Sequence, residues 1–442
     1  MSKNKKIFIE TYGCQMNFAD SEVVASILTK EGFDNTHHIA EADIILLNTC
    51  SIRDNAEQRI RKRLQNLRSF KKKNPGLKIG LLGCMAERLK ESLLNEERVL
   101  DIIAGPDSYR DLPRLLQQVE TGHKAINTIL SSEETYADIN PVRYDSNGVS
   151  AFISIMRGCE NYCAYCVVPY VRGQERSRDM ASILSEAEDL FGKGYREITL
   201  LGQNVNSYLY KREDKKINFA HLLARVATVH PALRIRFATS HPKDLSDELL
   251  EVMASHQNIC KSLHLPLQSG STAVLSKMNR GYTREQYMER IEAVRRIIPG
   301  CAITTDIIAG FCDETEEDHL QTLSLMEWAG FDFAYMFMYS ERPDTLAANL
   351  YKDNVSATVK ERRLKEIIDL QQKLSGQSNR RDINAVFEVL IEGFSKRSKE
   401  YFSGRNSQNK VVVFPVTDNE PGDYVMVKID QVTSATLIGK AL

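Results

Sequence analysis

The chain has 442 residues, 42% hydrophobic and 26% charged, with a formal net charge of -1. That length holds two to four domains, and the balance excludes disordered, collagenous and coiled-coil chains. No apolar run approaches the roughly 20 residues of a membrane helix. Lys3, Lys5 and Lys6 lead straight into Ile7, Phe8 and Ile9 without a signal-peptide apolar stretch, so a cytoplasmic protein with no membrane contact is expected. Near-zero net charge means that any nucleic-acid contact must come from local patches.

The alternation begins at once. Strands are predicted over 6–12, 43–48, 78–82 and 99–104, and helices over 21–31, 54–73, 86–95 and 109–120. Short apolar runs such as Ile44, Ile45, Leu46 and Leu47 mark buried strands, so residues 5–121 read as an open parallel sheet with helices on its faces. Residues 122–147 are polar and weakly periodic, with turn signals at Asn140-Pro141 and Asn147-Gly148, and read as a linker. Over 148–375, strands at 151–156, 197–201, 233–239, 262–265, 302–308 and 333–338 alternate with helices at 180–193, 219–229, 247–255, 284–297 and 316–329; a last helix spans 359–374. Six strand–helix units predict a partial (β/α)6 barrel. Residues 378–442 switch to strands at 385–393, 410–414, 424–431 and 436–439, a small antiparallel β-barrel. The chain is thus an α/β multidomain protein.

Nine cysteines in a reducing compartment argue against a disulfide framework. Cys14, Cys50 and Cys84 each follow one of the first three strands. In an open parallel sheet the carboxyl ends of the strands share one edge, so the three can converge. Gly13 and Gly83 beside them are expected to let the backbone approach a bulky ligand. Free cysteines are also buried as small hydrophobes, but three at one topological position favour ligation of an iron–sulfur cluster with one iron left open; zinc would want a fourth ligand. The second set is sharper. Arg157-Gly158-Cys159-Glu160-Asn161-Tyr162-Cys163-Ala164-Tyr165-Cys166 has the spacing CxxxCxxC after the first barrel strand. Three thiolates on one loop can hold three corners of a 4Fe-4S cluster. A zinc knuckle lacks its second ligand pair here, and a redox CxxC leaves Cys159 unexplained.

CxxxCxxC opening a six-unit strand–helix barrel resembles the radical S-adenosylmethionine superfamily. The three N-terminal cysteines and the C-terminal barrel resemble its methylthiotransferase branch, and within it the MiaB subfamily. The motifs that carry this are Asn48-Thr49-Cys50-Ser51-Ile52-Arg53, Cys166-Val167-Val168-Pro169-Tyr170-Val171-Arg172-Gly173, Leu201-Gly202-Gln203-Asn204-Val205-Asn206 and His264-Leu265-Pro266-Leu267-Gln268-Ser269-Gly270-Ser271. Two stretches depart from the pattern. Gly310-Phe311-Cys312-Asp313-Glu314-Thr315 and Arg342-Pro343-Asp344-Thr345 carry Cys312, Asp313 and Asp344 where the family has proline, glycine and glycine. The resemblance implies two 4Fe-4S clusters, on Cys14, Cys50 and Cys84 and on Cys159, Cys163 and Cys166. It also implies two uses of S-adenosylmethionine, and conversion of N6-isopentenyladenosine at position 37 of tRNA to its 2-methylthio derivative. Its C-terminal module resembles a TRAM domain.

Barrel chemistry sits at the carboxyl ends of the strands, which marks Gln203, Asn204, Ser240, His264 and Asp306 as candidate S-adenosylmethionine contacts, with Ser240's neighbour His241, and Gln268 and Thr305, beside them. The resemblance places Tyr165 near the adenine. For RNA, residues 59–73 carry eight basic and no acidic residues, Arg61, Lys62, Arg68 and Lys72 among them, and Lys396, Arg397 and Arg405 lie among Tyr401 and Phe402. The partners expected are the tRNA anticodon stem-loop and an electron donor such as flavodoxin or ferredoxin, with the enzyme a monomer. Competing readings are the same chemistry on threonylcarbamoyl-adenosine or on a ribosomal-protein aspartate, and a non-enzymatic iron–sulfur RNA sensor.

Overall fold

The computed structural model describes residues 4–51, 54–144, 146–212 and 215–442; Ile52 and Arg53 of the first motif lie outside them. The chain divides into two compact units, Met1–Asp145 with Met156–Glu160 and Cys166–Ser182, and Ser146–Ile155 with Asn161–Tyr165 and Ile183–Leu442. Among the described residues no helix is long and apolar enough to cross a membrane.

The first unit runs β1 (Lys6–Thr11), α1 (Gln15–Lys30), β2 (Asp34–Asn35), β3 (Ile44–Thr49), α2 (Asp54–Lys73), β4 (Lys78–Gly83), α3 (Cys84–Glu96), β5 (Ile102–Ala104), α4 (Leu112–Glu120) and β6 (Ala125–Asn127). The strands form one parallel sheet in the order β2-β1-β3-β4-β5-β6. Its continuous apolar runs are explained by two covered faces. Ile44 and Leu46 enter one core with Ile7 and Leu28, while Ile45 and Leu47 enter the other with Ile60, Leu64 and Leu81. Leu46 is fully buried, so Leu46→Ala would cost about 2–5 kcal/mol.

Two expectations change here. The helix expected from residue 21 begins at Gln15, with Cys14 as its N-cap residue. Its first turns bury the polar Asn17 and Asp20, which breaks the apolar periodicity. Residues 122–147 are not a simple linker. They supply the edge strand β6, and Tyr136 and Ile139 join the core beside Tyr109. The Tyr136 hydroxyl donates to Pro106 O (3.0 Å) and accepts from Tyr109 N (3.1 Å).

The chain continues through β7 (Ser150–Ser154), β8 (Met156–Arg157), α5 (Val168–Arg172), β9 (Arg176–Ser177), α6 (Met180–Gly192), β10 (Glu197–Leu201), the hairpin β11 (Leu209–Arg212) and β12 (Lys215–Asn218), α7 (Phe219–Ala227), β13 (Arg234–Ala238), α8 (Asp247–Ser255), β14 (Ser262–His264), α9 (Thr272–Lys277), α10 (Arg284–Ile297), β15 (Ala302–Ala309), α11 (Glu316–Ala329), β16 (Phe333–Met338), α12 (Leu346–Leu350) and α13 (Ala357–Arg380). The six barrel strands form two parallel sheets, β7-β10-β13 and β14-β15-β16, linked by a parallel bridge between Ile235 and Ile259. The helices start where the sequence caps them. Ser246 accepts from Leu249 N, and Thr283 with Gln286 and Thr315 with Asp318 form capping boxes. Both Asp313 (φ +59) and Asp344 (φ +68) hold left-handed backbone, so the turns survive the exchange of glycine for aspartate. Asp313 is tied down by Lys277 (2.8 Å) and by Asn354 (2.9 Å to its N–H).

The C-terminal strands β17 (Val386–Ser395), β18 (Ser398–Arg405), β19 (Val411–Pro415), β20 (Tyr424–Val432) and β21 (Leu437–Ala441) close a barrel in the order β17-β18-β19-β21-β20. The expectation of a wholly antiparallel barrel is corrected in one place: β19 and β21 pair in parallel. β18 is unforeseen, because Lys399, Glu400, Ser403 and Gly404 hide its alternation. This barrel docks on the amino ends of β10 and β13. Arg234 donates to Arg405 O (2.7 Å) and pairs with Glu388 (3.0 Å); Arg236 bridges Glu197 (2.8 Å) and Asn406 O (2.8 Å).

Candidate active site

In the first unit, β1, β3 and β4 are adjacent, and each ends beside a cysteine. Cys14 caps α1, Cys50 follows β3, and Cys84 opens α3. A Cβ on Gly13 would meet Cys50 Cβ at 2.6 Å, and one on Gly83 would meet Asn48 Oδ1 at 2.5 Å and Thr49 O at 2.6 Å. The expectation that these glycines admit a ligand is therefore corrected. They admit the neighbouring chain, and both have positive φ. Buried amides fix the cradle: Asn48 Nδ2 donates to Asn17 O (2.8 Å) and Ser21 Oγ (3.0 Å), and Cys14 Sγ donates to Asn17 Oδ1 (3.3 Å).

Behind this edge lies a charge cluster that sequence reasoning missed. Arg172 Nε donates to Cys84 Sγ (3.3 Å), and its Nη1 pairs with Asp20 (2.9 Å). Arg157 pairs with Asp20 (2.7 Å) and approaches Asp107 (3.5 Å), which also holds Arg176 (3.0 Å). All five side chains are buried, three cations against two carboxylates. Burial works against the Arg172 charge, yet Asp20 and the Cys84 and Cys14 sulfurs keep it firmly protonated. Burial pushes the Cys84 thiol up, and Arg172 pulls it back. A surplus buried cation against a thiol is stabilised by an anionic occupant. The donor set of three thiols at one sheet edge with that cation fits a thiolate-ligated cluster. Among the described residues, no three His, Cys, Asp or Glu side chains converge as a site for one metal ion.

The CxxxCxxC loop leaves β8 at Gly158, whose φ is +80 and whose Cβ would strike Gln174 O at 1.8 Å. Cys159 N donates to Gly173 O (3.1 Å), and Cys166 Sγ accepts from Val168 N (3.5 Å). In the second unit, Cys163 Sγ accepts from Arg280 Nη1 (3.2 Å). Arg280 is buried, and it also donates to Tyr165 Oη (3.4 Å), Tyr282 Oη (3.1 Å) and Pro266 O (3.1 Å). Tyr165 packs beside Ala164, Met278 and Phe311. Arg280 lies outside every motif quoted above; only a lone arginine after Asn279 signals it.

The barrel's strand ends carry buried polar atoms without partners among the described residues: Gln203 Oε1, Asn204 Oδ1, both amide atoms of Asn206, His241 Nε2 and Gln268 Oε1. Such atoms cost about 1–3 kcal/mol each unless something bonds them. Asn204 is held by Asp244 (2.7 Å), which aims its free oxygen. His241 Nδ1 accepts from Lys243 N (3.4 Å), so Nε2 carries the hydrogen and is a spare donor. Burial, with Arg280 and Lys243 nearby, drives the His241 pKa down to about 2, so the ring stays neutral. Ser240 is buried next to it. His264 contacts Thr304 Oγ1 (3.0 Å) and Asp306 Oδ2 (3.5 Å). Donors and acceptors together match the needs of ribose, adenine and an amino-acid group. Asn206 was legible only as part of a motif.

The basic patches are partly neutralised. Arg61 pairs with Glu96 and Glu97, Arg68 with Glu97, Arg63 with Glu10 and Lys71 with Asp101. The eight charges are thus not unopposed. Lys62 and Lys72 are exposed and make no ion pair among the described residues. Arg405 pairs with Glu392 (3.2 Å), and Phe402 is core; Lys396 and Arg397 stand at the exposed β17–β18 turn, with Phe394 and Tyr401 exposed nearby.

Comparison with known proteins agrees with this layout. Residues 6–105 match the uncharacterized protein family UPF0004, residues 153–326 the radical SAM superfamily and residues 380–442 the TRAM domain. The tRNA-2-methylthio-N(6)-dimethylallyladenosine synthase of Amoebophilus asiaticus is 58% identical over 99% of this chain and 92% of its own. The synthase of the same name from Parabacteroides distasonis is 57% identical over 99% and 96%. Among solved structures, the radical S-adenosylmethionine methyltransferase TsrM from Kitasatospora setae superposes with a TM-score of 0.59 at 14% identity, covering 78% of this chain and 75% of its own, a likeness of fold. The chain belongs to the family of tRNA-2-methylthio-N(6)-dimethylallyladenosine synthases, the radical S-adenosylmethionine tRNA methylthiotransferases.

Proposed function

We propose that this chain converts N6-dimethylallyladenosine beside the tRNA anticodon to its 2-methylthio derivative, with Cys159, Cys163 and Cys166 holding one 4Fe-4S cluster and Cys14, Cys50 and Cys84 a second. The observation that carries the reading is the ring of orphaned polar atoms at the barrel's strand ends, Gln203, Asn204, Asn206, His241 and Gln268. Their donors and acceptors suit the ribose, adenine and amino-acid groups of S-adenosylmethionine. The adenine C2–H bond is too inert for acid–base catalysis; a bound cluster and S-adenosylmethionine supply the one-electron chemistry that breaks it. The protein's share is placement. Arg280 fixes Cys163 and Tyr165 together, Asp244 orients Asn204, and neutral His241 offers a hydrogen-bond donor at Nε2. Ser240, His264 and Asp306 complete the lining.

At the first unit, Arg172 balances charge at Cys84. The TRAM match supports RNA contact, for which Lys62, Lys72, Lys396 and Arg397 are the exposed candidates. Arg61, Arg68 and Arg405 are tied up in ion pairs and serve structure first. A cytoplasmic monomer reduced by a flavodoxin or ferredoxin is consistent with a tRNA substrate and with clusters that need single electrons.

Anaerobic incubation of reconstituted protein, reductant and S-adenosylmethionine with dimethylallyl-modified tRNA tests the reading. Nucleoside mass spectrometry should show the 2-methylthio product. Formation of 5′-deoxyadenosine without it would move the substrate to threonylcarbamoyl-adenosine or a protein aspartate. Neither product, with both clusters intact, would favour the RNA sensor.

A further inference from the structure

On the inner face of the β14-β15-β16 sheet the described residues leave two large aromatic rings about half exposed. Register puts Thr304 opposite Phe333, Asp306 opposite Tyr335 and His264 opposite Thr304, so these five side chains share one face. The other face is packed: Ile303, Thr305, Ile307 and Ala334 are buried, and α13 lies against β16. On the inner face Phe333 is 45% and Tyr335 51% exposed. Their rings meet edge to face at 5.0 Å, and Tyr335 meets His264 at 5.9 Å. The surface then runs on to the orphaned atoms, since Gln268 N donates to Asp306 O (2.8 Å) and Gln268 Oε1 lacks a partner.

Two adjacent half-exposed rings leading into a polar pocket are a binding surface, not a core. We propose that Phe333 and Tyr335 form an aromatic step that receives the prenylated adenine, one ring face for the base and apolar surface for its dimethylallyl tail. The proposal rests on the substrate reading above and names its subsite. Continuity with the cofactor pocket selects the occupant: whatever loses hydrogen there must lie along this face. A purine with a five-carbon tail offers the flat apolar faces that the step accepts. Unpaired loop bases are commonly read by such stacking.

The test is binding of the reconstituted full-length protein to two labelled anticodon stem-loop RNAs, one with N6-dimethylallyladenosine and one with adenosine, followed by fluorescence anisotropy. The native protein should prefer the prenylated RNA. Phe333→Ala and Tyr335→Ala should weaken that RNA by about tenfold or more, in line with the loss of one stacked base, and the unmodified RNA much less. Tyr335→Phe should keep the preference. Both positions are half-exposed, so the variants should fold; circular dichroism checks this. Variants that bind both RNAs like the native protein, or lose both equally, overturn the subsite while the native enzyme's methylthio product keeps the substrate reading. A native protein that binds neither RNA overturns both.

Discussion

The two cysteine sets are built in opposite ways. Cys159, Cys163 and Cys166 come from one short loop, so their proximity is a property of the local chain. Cys14, Cys50 and Cys84 are far apart in sequence and meet only because three parallel strands end together. Their buried counter-charges differ as well. Arg172 faces Cys84 from inside a network with two carboxylates, whereas Arg280 faces Cys163 among hydroxyls and a carbonyl. The first set is tied to the integrity of a whole sheet, the second to a loop.

The largest effect should separate the two sets by product. Cys163→Ala is expected to abolish both 5′-deoxyadenosine formation and methylthiolation. Cys84→Ala should keep 5′-deoxyadenosine and lose only the methylthio product. Chromatography of the anaerobic reaction reads both. If Cys84→Ala also stops cleavage of S-adenosylmethionine, the two sets do not divide the labour.

Next come the two arginines. Arg172→Leu breaks one of the two buried ion pairs of Asp20, leaving it Arg157 and the Tyr109 hydroxyl, which should cost about 3–5 kcal/mol. Arg280→Leu strands acceptors but no carboxylate, so about 1–3 kcal/mol is expected. Urea unfolding of the iron-free proteins measures both. Equal losses would break the contrast.

The same contrast explains what the sequence could reveal. The loop cysteines, the barrel's six strands and capped helices such as the one after Thr283 were legible because short-range spacing determines them. The first cysteine set was legible through topology, since each cysteine follows a strand. The roles of Arg172 and Arg280 were not, because they come from long-range contacts that leave no local pattern, and Asn206 was legible only as a member of its motif. Strand β18 and edge strand β6 were missed for a related reason. Closure of a barrel and addition to a sheet edge override weak local alternation. The ion pairs of α2 were invisible too, as Glu96, Glu97 and Asp101 lie a helix away in sequence.

A third prediction concerns Glu87, three residues past Cys84. Its carboxylate is buried against Gly105, without a hydrogen bond among the described residues, and Lys90 approaches it (3.6 Å). Burial pushes its pKa up to about 7 from 4.5, with Lys90 pulling the other way. A folded pKa above the unfolded one means that the native state holds the proton more tightly. Stability from this group is therefore present at pH 4 and is lost as pH rises through 7, by at most about 3 kcal/mol. Glu87→Gln should leave the midpoint of urea unfolding unchanged near pH 4 and raise it at pH 8. His241 in the barrel should give the opposite dependence: burial drives its pKa down to about 2, the unfolded chain takes the proton, and its contribution to stability is lost as pH falls through 6.5.

The smallest effect concerns the basic patches, which repeat the contrast between long-range and local construction. On α2, Arg61 and Arg68 are held by glutamates, while Lys62 and Lys72 are exposed. At the β17–β18 turn Lys396 and Arg397 stand exposed by local geometry. Exposed pairs contribute only about 0–1 kcal/mol to stability, so none of these changes should unfold the protein. Lys396→Glu with Arg397→Glu should weaken tRNA severalfold and reduce the salt slope of binding by about 1–2, as expected for one or two lost phosphate contacts. Lys62→Glu with Lys72→Glu should do the same if α2 touches RNA. Arg61→Gln should instead leave the slope unchanged, because its charge is already answered by Glu96 and Glu97. A slope that falls as much for Arg61→Gln as for the exposed lysines would show that RNA displaces the glutamates, and that an ion pair seen in the free protein is no guide to which cations reach phosphate.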